Sequence, residues 1–267
     1  MNKKFNFNKN KVTYSKKEIV KSYDNRLLTF TEEKIMSLIK NELSGSKILD
    51  VGVGTGRTTE SFSRKTEYYL GIDYSNKMIK KCKSKFGGKK PLHFQVLDIR
   101  DLKGIEDSFF DIVLFSYNGL DYVDFDDRKK SIKEINRVLK KGGIFIFSTH
   151  NIKSIPLMFN LYLGLNPYMH YKRINKIINL LRYNGVPRKY RGFEYTYFID
   201  SAHNYSLNTV YIDPKFQLSQ LDLYGFNKTR LFSSKYGKEL RKENLKSYEE
   251  PWIYFLCKKA YDLNEKT

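Results

Sequence analysis

The 267 residues carry 49 lysines and arginines against 29 acids, a net charge of +20, and 40% are hydrophobic, including 21 Tyr and 19 Phe. That content supplies one ordinary core and excludes a disordered chain. No apolar run reaches the roughly 18 residues of a membrane span, and no signal-peptide-like stretch opens the chain. Cys82 and Cys257 lie far apart and read as reduced thiols of a cytoplasmic protein. The charge is spread out except in residues 151–200, which hold 8 basic and 2 acidic groups. A lysine-rich coding bias accounts for most of it better than nucleic-acid binding does, so any anion site is expected in that segment.

In chain order, residues 1–12 are polar and expected to fray. Helices are expected near 16–24 and 30–43, the second capped by Thr29 or Thr31 and stopped by Gly45. Apolar runs at 47–51, 68–73, 92–98, 110–116 and 144–149 read as strands, with helices over about 56–66, 75–86 and 126–140 between them. Gly87-Gly88 ends the second of those helices, and Gly142-Gly143 turns the chain into the fifth strand. The alternation predicts an α/β, doubly wound, mostly parallel sheet with right-handed crossovers. Segments 225–232 and 251–259 read as two more strands, seven in all.

Residues 151–213 are too many for a connection between the fifth and sixth strands. They hold IPLMFNLYLGL (155–165), a basic helical stretch over 170–182 and the Tyr-rich FEYTYFID (193–200). A cap insertion over the carboxyl ends of the strands is expected, dividing the chain into 1–150, 151–213 and 214–267.

The chemistry is concentrated in KILDVGVGTGRTTE (47–60) and YLGIDYSNKMI (69–79). Strand, glycine loop, helix, strand and terminal acid form the grammar of a nucleotide-binding β-α-β unit. A dinucleotide fingerprint would need a glycine where Arg57 stands. The D-x-G-x-G-x-G pattern of Asp50, Gly52, Gly54 and Gly56 instead resembles motif I of the Rossmann-like (class I) S-adenosylmethionine-dependent methyltransferases, small-molecule type. An acid at the loop mouth suits a ligand with a sulfonium and an ammonium, and would repel a pyrophosphate.

The resemblance implies a donor site for S-adenosyl-L-methionine and a final antiparallel strand pair. Asp50 would orient the loop near the ammonium group, and Asp73 would accept the ribose hydroxyls. Tyr74 and Met78 would pack on the adenine, Asp98 and the Ile99 N–H would meet its edge, and Tyr23 would fold over the methionine tail. Ser116, Tyr117 and Asn118 would lie beside the sulfonium and the methyl group.

No N-P-P-Y or D-P-P-Y follows the fourth strand, and no cysteine ends a strand, which weakens both nucleobase routes. His150, at the end of the fifth strand, is a candidate general base, with His203 second and Tyr117 beside the methyl group. In the cap, Arg173, Arg182, Arg188 and Arg191 could hold a phosphate or carboxylate, and Tyr195 and Tyr197 could stack on a sugar or ring face. No metal is expected. The reading is a methyltransferase acting on an O or N atom of a small, anionic or glycan-related acceptor. The alternatives are a tRNA or rRNA methyltransferase, which would use the net charge, and a non-catalytic binding module.

Overall fold

Five apolar runs become five parallel strands: β1 (Lys47–Val51), β2 (Tyr68–Asp73), β3 (Leu92–Val96), β4 (Phe110–Phe115) and β5 (Leu139–Asn151). They appear in a computed structural model that describes residues 7–24, 26–89, 91–161 and 166–261. Ile112, Val113 and Leu114 of β4 are completely buried, because helices cover both faces of the sheet. Burying each such side chain is worth about 1.5–3 kcal/mol. β10 (Trp252–Lys259) runs antiparallel between β5 and β8 (Phe226–Ser233), so the spine of the sheet reads β3-β2-β1-β4-β5-β10-β8.

Those seven strands are the expected sheet, and the structure enlarges it to ten. β9 (Glu239–Leu240) forms a hairpin with β8, while β6 (Tyr195–Phe198) and β7 (Thr209–Ile212) come from the insertion. β7 pairs in parallel with the last two residues of β5, His150 with Tyr211 and Asn151 with Ile212. The insertion is thus an extension of the sheet at the carboxyl end of β5. It has its own small core of Ile152, Ile155, Leu180, Tyr190, Phe198 and Tyr211.

Other boundaries moved for local reasons. Residues 7–12 do not fray: α1 (Phe7–Tyr14) is held by Asn10, whose side chain donates to the Tyr122 and Asn208 carbonyls and accepts from the Asn208 N–H. Residues 1–6 of the expected frayed end lie outside the described residues. α2 (Lys17–Tyr23) follows, then α3 (Phe30–Leu38), where Thr29 and Glu32 close a reciprocal capping box. Ile39, at φ −105° and ψ 22°, separates α3 from the one-turn α4 (Lys40–Leu43), splitting the single helix expected there.

α5 (Thr59–Ser63), α6 (Asn76–Phe86) and α7 (Phe125–Val138) are the crossover helices. Gly142-Gly143 does not precede β5 but lies within it, where the β4 register jumps from Leu139 to Ile144. The cap contributes α8 (Pro167–Asn184), longer than its basic stretch suggested, and α9 (Pro214–Leu223) leads back to β8. Residues 162–165 of the expected apolar segment lie outside the described residues. Cys82 and Cys257 are both buried and free.

Candidate functional site

Parallel strands point their carboxyl ends the same way, and the loops after β1 to β4 surround one cavity of about 980 Å³, part of it open to solvent. Gly52 and Gly54 line it from the first loop, Asp73 and Tyr74 from the second, Asp98 and Ile99 from the third, and Ser116 and Tyr117 from the fourth. Met78 of α6 adds an apolar wall with Ile72 and Leu97, and Tyr14 and Tyr23 enter from α1 and α2.

The first loop can take this shape because Gly52, Gly54 and Gly56 have φ of 64°, 57° and 86°. A Cβ on Gly56 would lie 2.5 Å from the Phe86 ring, so that glycine shapes the loop without lining the cavity. Asp73 accepts the Gly54 N–H at 3.1 Å and the Ser75 N–H at 2.7 Å, tying the two loops together. Burial outweighs these bonds and pushes its carboxyl up to about 6.

Asp50 is placed differently from the expectation. It is 1% exposed and not among the lining residues; its Oδ2 accepts the Thr58 hydroxyl and, at 2.5 Å, the Tyr69 hydroxyl. It braces the loop from beneath, away from where an ammonium could sit, and burial pushes it up to about 6. Asp98 lines the cavity, but both of its oxygens are gripped by Arg100, at 2.9 Å and 2.7 Å. Burial raises that carboxyl, and the Arg100 bonds more than reverse it. The Arg100 guanidinium also lies 3.8 Å over the Phe7 ring, whose edge meets Tyr74 at 5.7 Å. α1 therefore covers this end of the cavity.

Sequence reasoning missed Arg57, which was read only as a missing glycine. It bonds both oxygens of Glu32 from α3 and reaches the Ser116 hydroxyl at 2.9 Å. Burial raises the Glu32 carboxyl, but the Arg57 bonds and charge hold it below its ordinary value. Tyr14, Thr55 and Tyr122 were also missed; each lies on the cavity wall. A polar residue inside an N-terminal helix is a faint signal, and only its long-range partners reveal it.

At the other end, Tyr117 and Asn118 both adopt left-handed backbone, φ 56° and 61°, rare for side chains of that size. The kink turns Tyr117 into the cavity, where Arg26 donates to its hydroxyl at 3.0 Å. Arg26 also stacks over Tyr23, 4.2 Å from the ring centroid. His203 stacks on Tyr23 and its Nε2 is 3.4 Å from the Tyr23 hydroxyl; burial, then the Arg26 charge, lowers its imidazole.

His150 is 4% exposed and stands behind this wall, not in it: it meets Tyr122, which lines the cavity, and Trp252, which meets Tyr117. Its Nδ1 lies 2.8 Å from Asp121 Oδ2, and an ionised carboxylate can only accept, so Nδ1 carries the proton. Nε2 is left as an acceptor, 3.3 Å from the Asn118 amide nitrogen. Asp121 is in turn paired with the fully buried Arg128 at 2.5 Å.

None of the cap candidates, Arg173, Arg182, Arg188, Arg191, Tyr195, Tyr197 and His203, lines the donor cavity. Arg188 and Arg191 line a separate, more open groove with Lys153, Lys215 and Lys246, because the turn after α8 carries them to the far side of the insertion. Tyr195 stacks on Phe125, and the Tyr197 hydroxyl donates to Asp124 and accepts the Phe125 N–H. Both tyrosines brace the start of α7.

The family model described as "Methyltransferase domain" matches residues 49–147, the span from β1 to β5. A demethylmenaquinone methyltransferase of Staphylococcus aureus is 30% identical over 164 residues, 58% of this chain and 66% of that protein. The first curated relatives are matched over about half their length, 46% and 51%. The fold is shared with an S-adenosylmethionine-dependent methyltransferase of Clostridium acetobutylicum, at 18% identity and TM-score 0.58 over 96% of this chain and 99% of that one. It is shared too with Burkholderia thailandensis 1,6-didemethyltoxoflavin-N1-methyltransferase, solved with S-adenosylhomocysteine and 1,6-didemethyltoxoflavin bound. Here the identity is 12% and the TM-score 0.58 over 96% of this chain and 87% of that one.

The chain belongs to the Rossmann-like (class I) S-adenosylmethionine-dependent methyltransferases. Its cofactor is S-adenosyl-L-methionine, and the cavity fits it: the half-buried Asp73 carboxyl, glycine-loop backbone free of Cβ atoms, and apolar lining from Met78, Leu97 and Ile99.

Proposed function

We propose that this protein transfers a methyl group to an O or N atom of a small molecule. The observation that carries the reading is the continuity of one cavity, from Asp73 and Asp98 at one end to Ser116 and Tyr117 at the other. Asp73 would accept the ribose hydroxyls, Met78 and Ile99 would flank the adenine, and Gly52 and Gly54 would face the methionine part. Bound there, S-adenosylmethionine supplies a methyl group on a sulfonium, already activated for in-line displacement.

The chain's own work is then positioning and exclusion of water, where proximity is worth roughly 7–11 kcal/mol. Tyr14 and Tyr23 close the cavity, and Arg57 fixes Ser116. The acceptor would enter between Tyr117, Arg26 and His203. Arg57 at that end is already paired with Glu32, whereas Arg26 has no carboxylate partner among the described residues, so an anionic acceptor would be held by Arg26 and not by Arg188 or Arg191. The Asp121–His150 pair stands behind the cavity wall, so its Nε2 would take the acceptor's proton only where Asn118 swings aside and opens a path to it. In this reading residues 1–150 and 214–267 form the donor-binding core, and 151–213 the cap that completes the acceptor side through His203.

The test is labelled donor incubated with fractionated cell extract, with and without RNase. Label in a small-molecule fraction insensitive to RNase is expected. Label lost on RNase treatment would replace this reading with an RNA acceptor, and no label in any fraction would remove the enzymatic reading.

A further inference from the structure

From Asn151 to Phe193 the chain contains no Asp or Glu, yet it holds eight lysines and arginines. Within that span α8 turns Tyr171, Ile174, Ile178 and Leu181 outward, exposed by 64, 44, 54 and 39%. Spacings of three, four and three place them on one stripe of the helix. The inward face is already satisfied: Leu180 is buried in the cap core, and the Asn184 side chain bonds both backbone groups of Ile199. Arg173 clamps the same helix down through the Leu157 and Asn160 carbonyls. The apolar stripe therefore faces away from the protein by construction. Val186 and Phe193, in the segment after the helix, are exposed by 59 and 50%.

Lys172 and Arg182 share the helix with the stripe, and Arg188, Lys189 and Arg191 follow in the turn after it; all five are exposed and have no carboxylate partner among the described residues. An apolar strip of this kind needs a cover. A second copy is disfavoured by charge: antiparallel α8 helices would bring Lys172 towards Arg182 with no acid on either helix. A cover that is both negative and apolar just beneath its surface satisfies both features at once.

We infer that α8 and the turn after it dock this protein on an anionic bilayer surface, with the helix lying in the headgroup plane. The Tyr171–Leu181 stripe enters the acyl boundary and the flanking cations meet lipid phosphates. This is surface attachment: no helix among the described residues is long and apolar enough to cross a membrane. It is independent of the donor reading, since none of these residues lines the donor cavity.

Co-sedimentation of the full chain with vesicles tests it. Binding is expected to phosphatidylcholine vesicles containing phosphatidylglycerol, weaker to phosphatidylcholine alone, and falling as salt rises. The pairs Ile174→Ser with Ile178→Ser and Lys172→Gln with Arg182→Gln should each weaken it about tenfold or more, since each surface cation is worth roughly a fivefold change. Donor binding by both variants should be unchanged, which verifies their fold. Three results would each overturn the inference: no binding to the mixed vesicles, binding by both variants equal to that of the wild type, or a solution dimer that Ile178→Ser dissolves.

Discussion

The Arg57 guanidinium grips Glu32 through two nitrogens, at 2.5 Å and 2.7 Å, with side chains only 8% and 1% exposed. The pair locks the glycine loop after β1 onto α3, and Arg57 carries the lock on to Ser116 at the end of β4. Removing one partner strands a buried charge. Glu32→Ala should therefore cost about 3–5 kcal/mol in denaturant unfolding, and pairing it with Arg57→Met should restore part of that loss. The folded Glu32 carboxyl is held below its ordinary value. Its contribution is present above the unfolded carboxyl range and lost as pH falls through the folded one. A Glu32→Ala protein as stable as wild type near neutral pH would show that the pair is dispensable.

Asp50 carries the opposite sign. Its carboxyl sits at about 6 in the folded chain, above the roughly 3.9 of an unfolded Asp. Its contribution is full below the unfolded value and lost as pH rises through about 6. Asp50→Asn should gain stability relative to wild type between pH 4 and 7, by on the order of 3 kcal/mol. Parallel unfolding curves for the two proteins across that range would contradict the buried-carboxyl account.

Asp73 has the same elevation, to about 6, but it lines the cavity. If it accepts the ribose hydroxyls, Asp73→Ala should weaken S-adenosylmethionine binding roughly ten- to a hundredfold, the loss of about 1.4–2.8 kcal/mol. In the wild type, affinity should fall as pH drops below about 6 and the carboxyl takes up a proton. Calorimetry from pH 5 to 7 reads both effects, and Asp73→Asn should be flat in that range. A pH-independent wild type would take Asp73 out of ligand recognition.

His150 lies behind the cavity wall, with Nδ1 beside Asp121 and Nε2 beside Asn118, and its substitution tests whether it nonetheless serves as the base. Once the acceptor is known, His150→Ala should lower kcat roughly 10²–10⁴-fold with donor affinity nearly unchanged. A variant within threefold of wild type would mean that the acceptor sheds its proton to water and that His150 only holds β5 to the loop after β4.

Arg26 and the pair Arg188 and Arg191 separate two locations for the acceptor. Arg26→Ala should raise the acceptor KM, because it removes the guanidinium between Tyr23 and Tyr117. Arg188→Ala with Arg191→Ala should leave both KM and donor affinity unchanged, since their groove shares no lining residue with the donor cavity. The reverse pattern would relocate the acceptor to that groove.

The sequence by itself determined what short-range rules govern. Period-two and continuous apolar runs set the five parallel strands, glycine spacing set the first loop, and acids at strand ends marked the cavity rim at Asp73 and Asp98. These features are local, because backbone conformation and strand burial are decided within a few residues. Tertiary structure alone decided which way each side chain is used. Asp50 and Asp73 look alike as strand-end acids, yet Tyr69 and Thr58 draw Asp50 beneath the loop while Asp73 faces the cavity. Arg57 finds Glu32 25 residues away, and Asn10 finds Asn208 198 residues away. Arg188 and Arg191, chosen for their charge, were carried to another face by the turn after α8. Charge and residue type are written in the chain, but a partner distant in sequence is fixed only when the sheet has brought the two segments together.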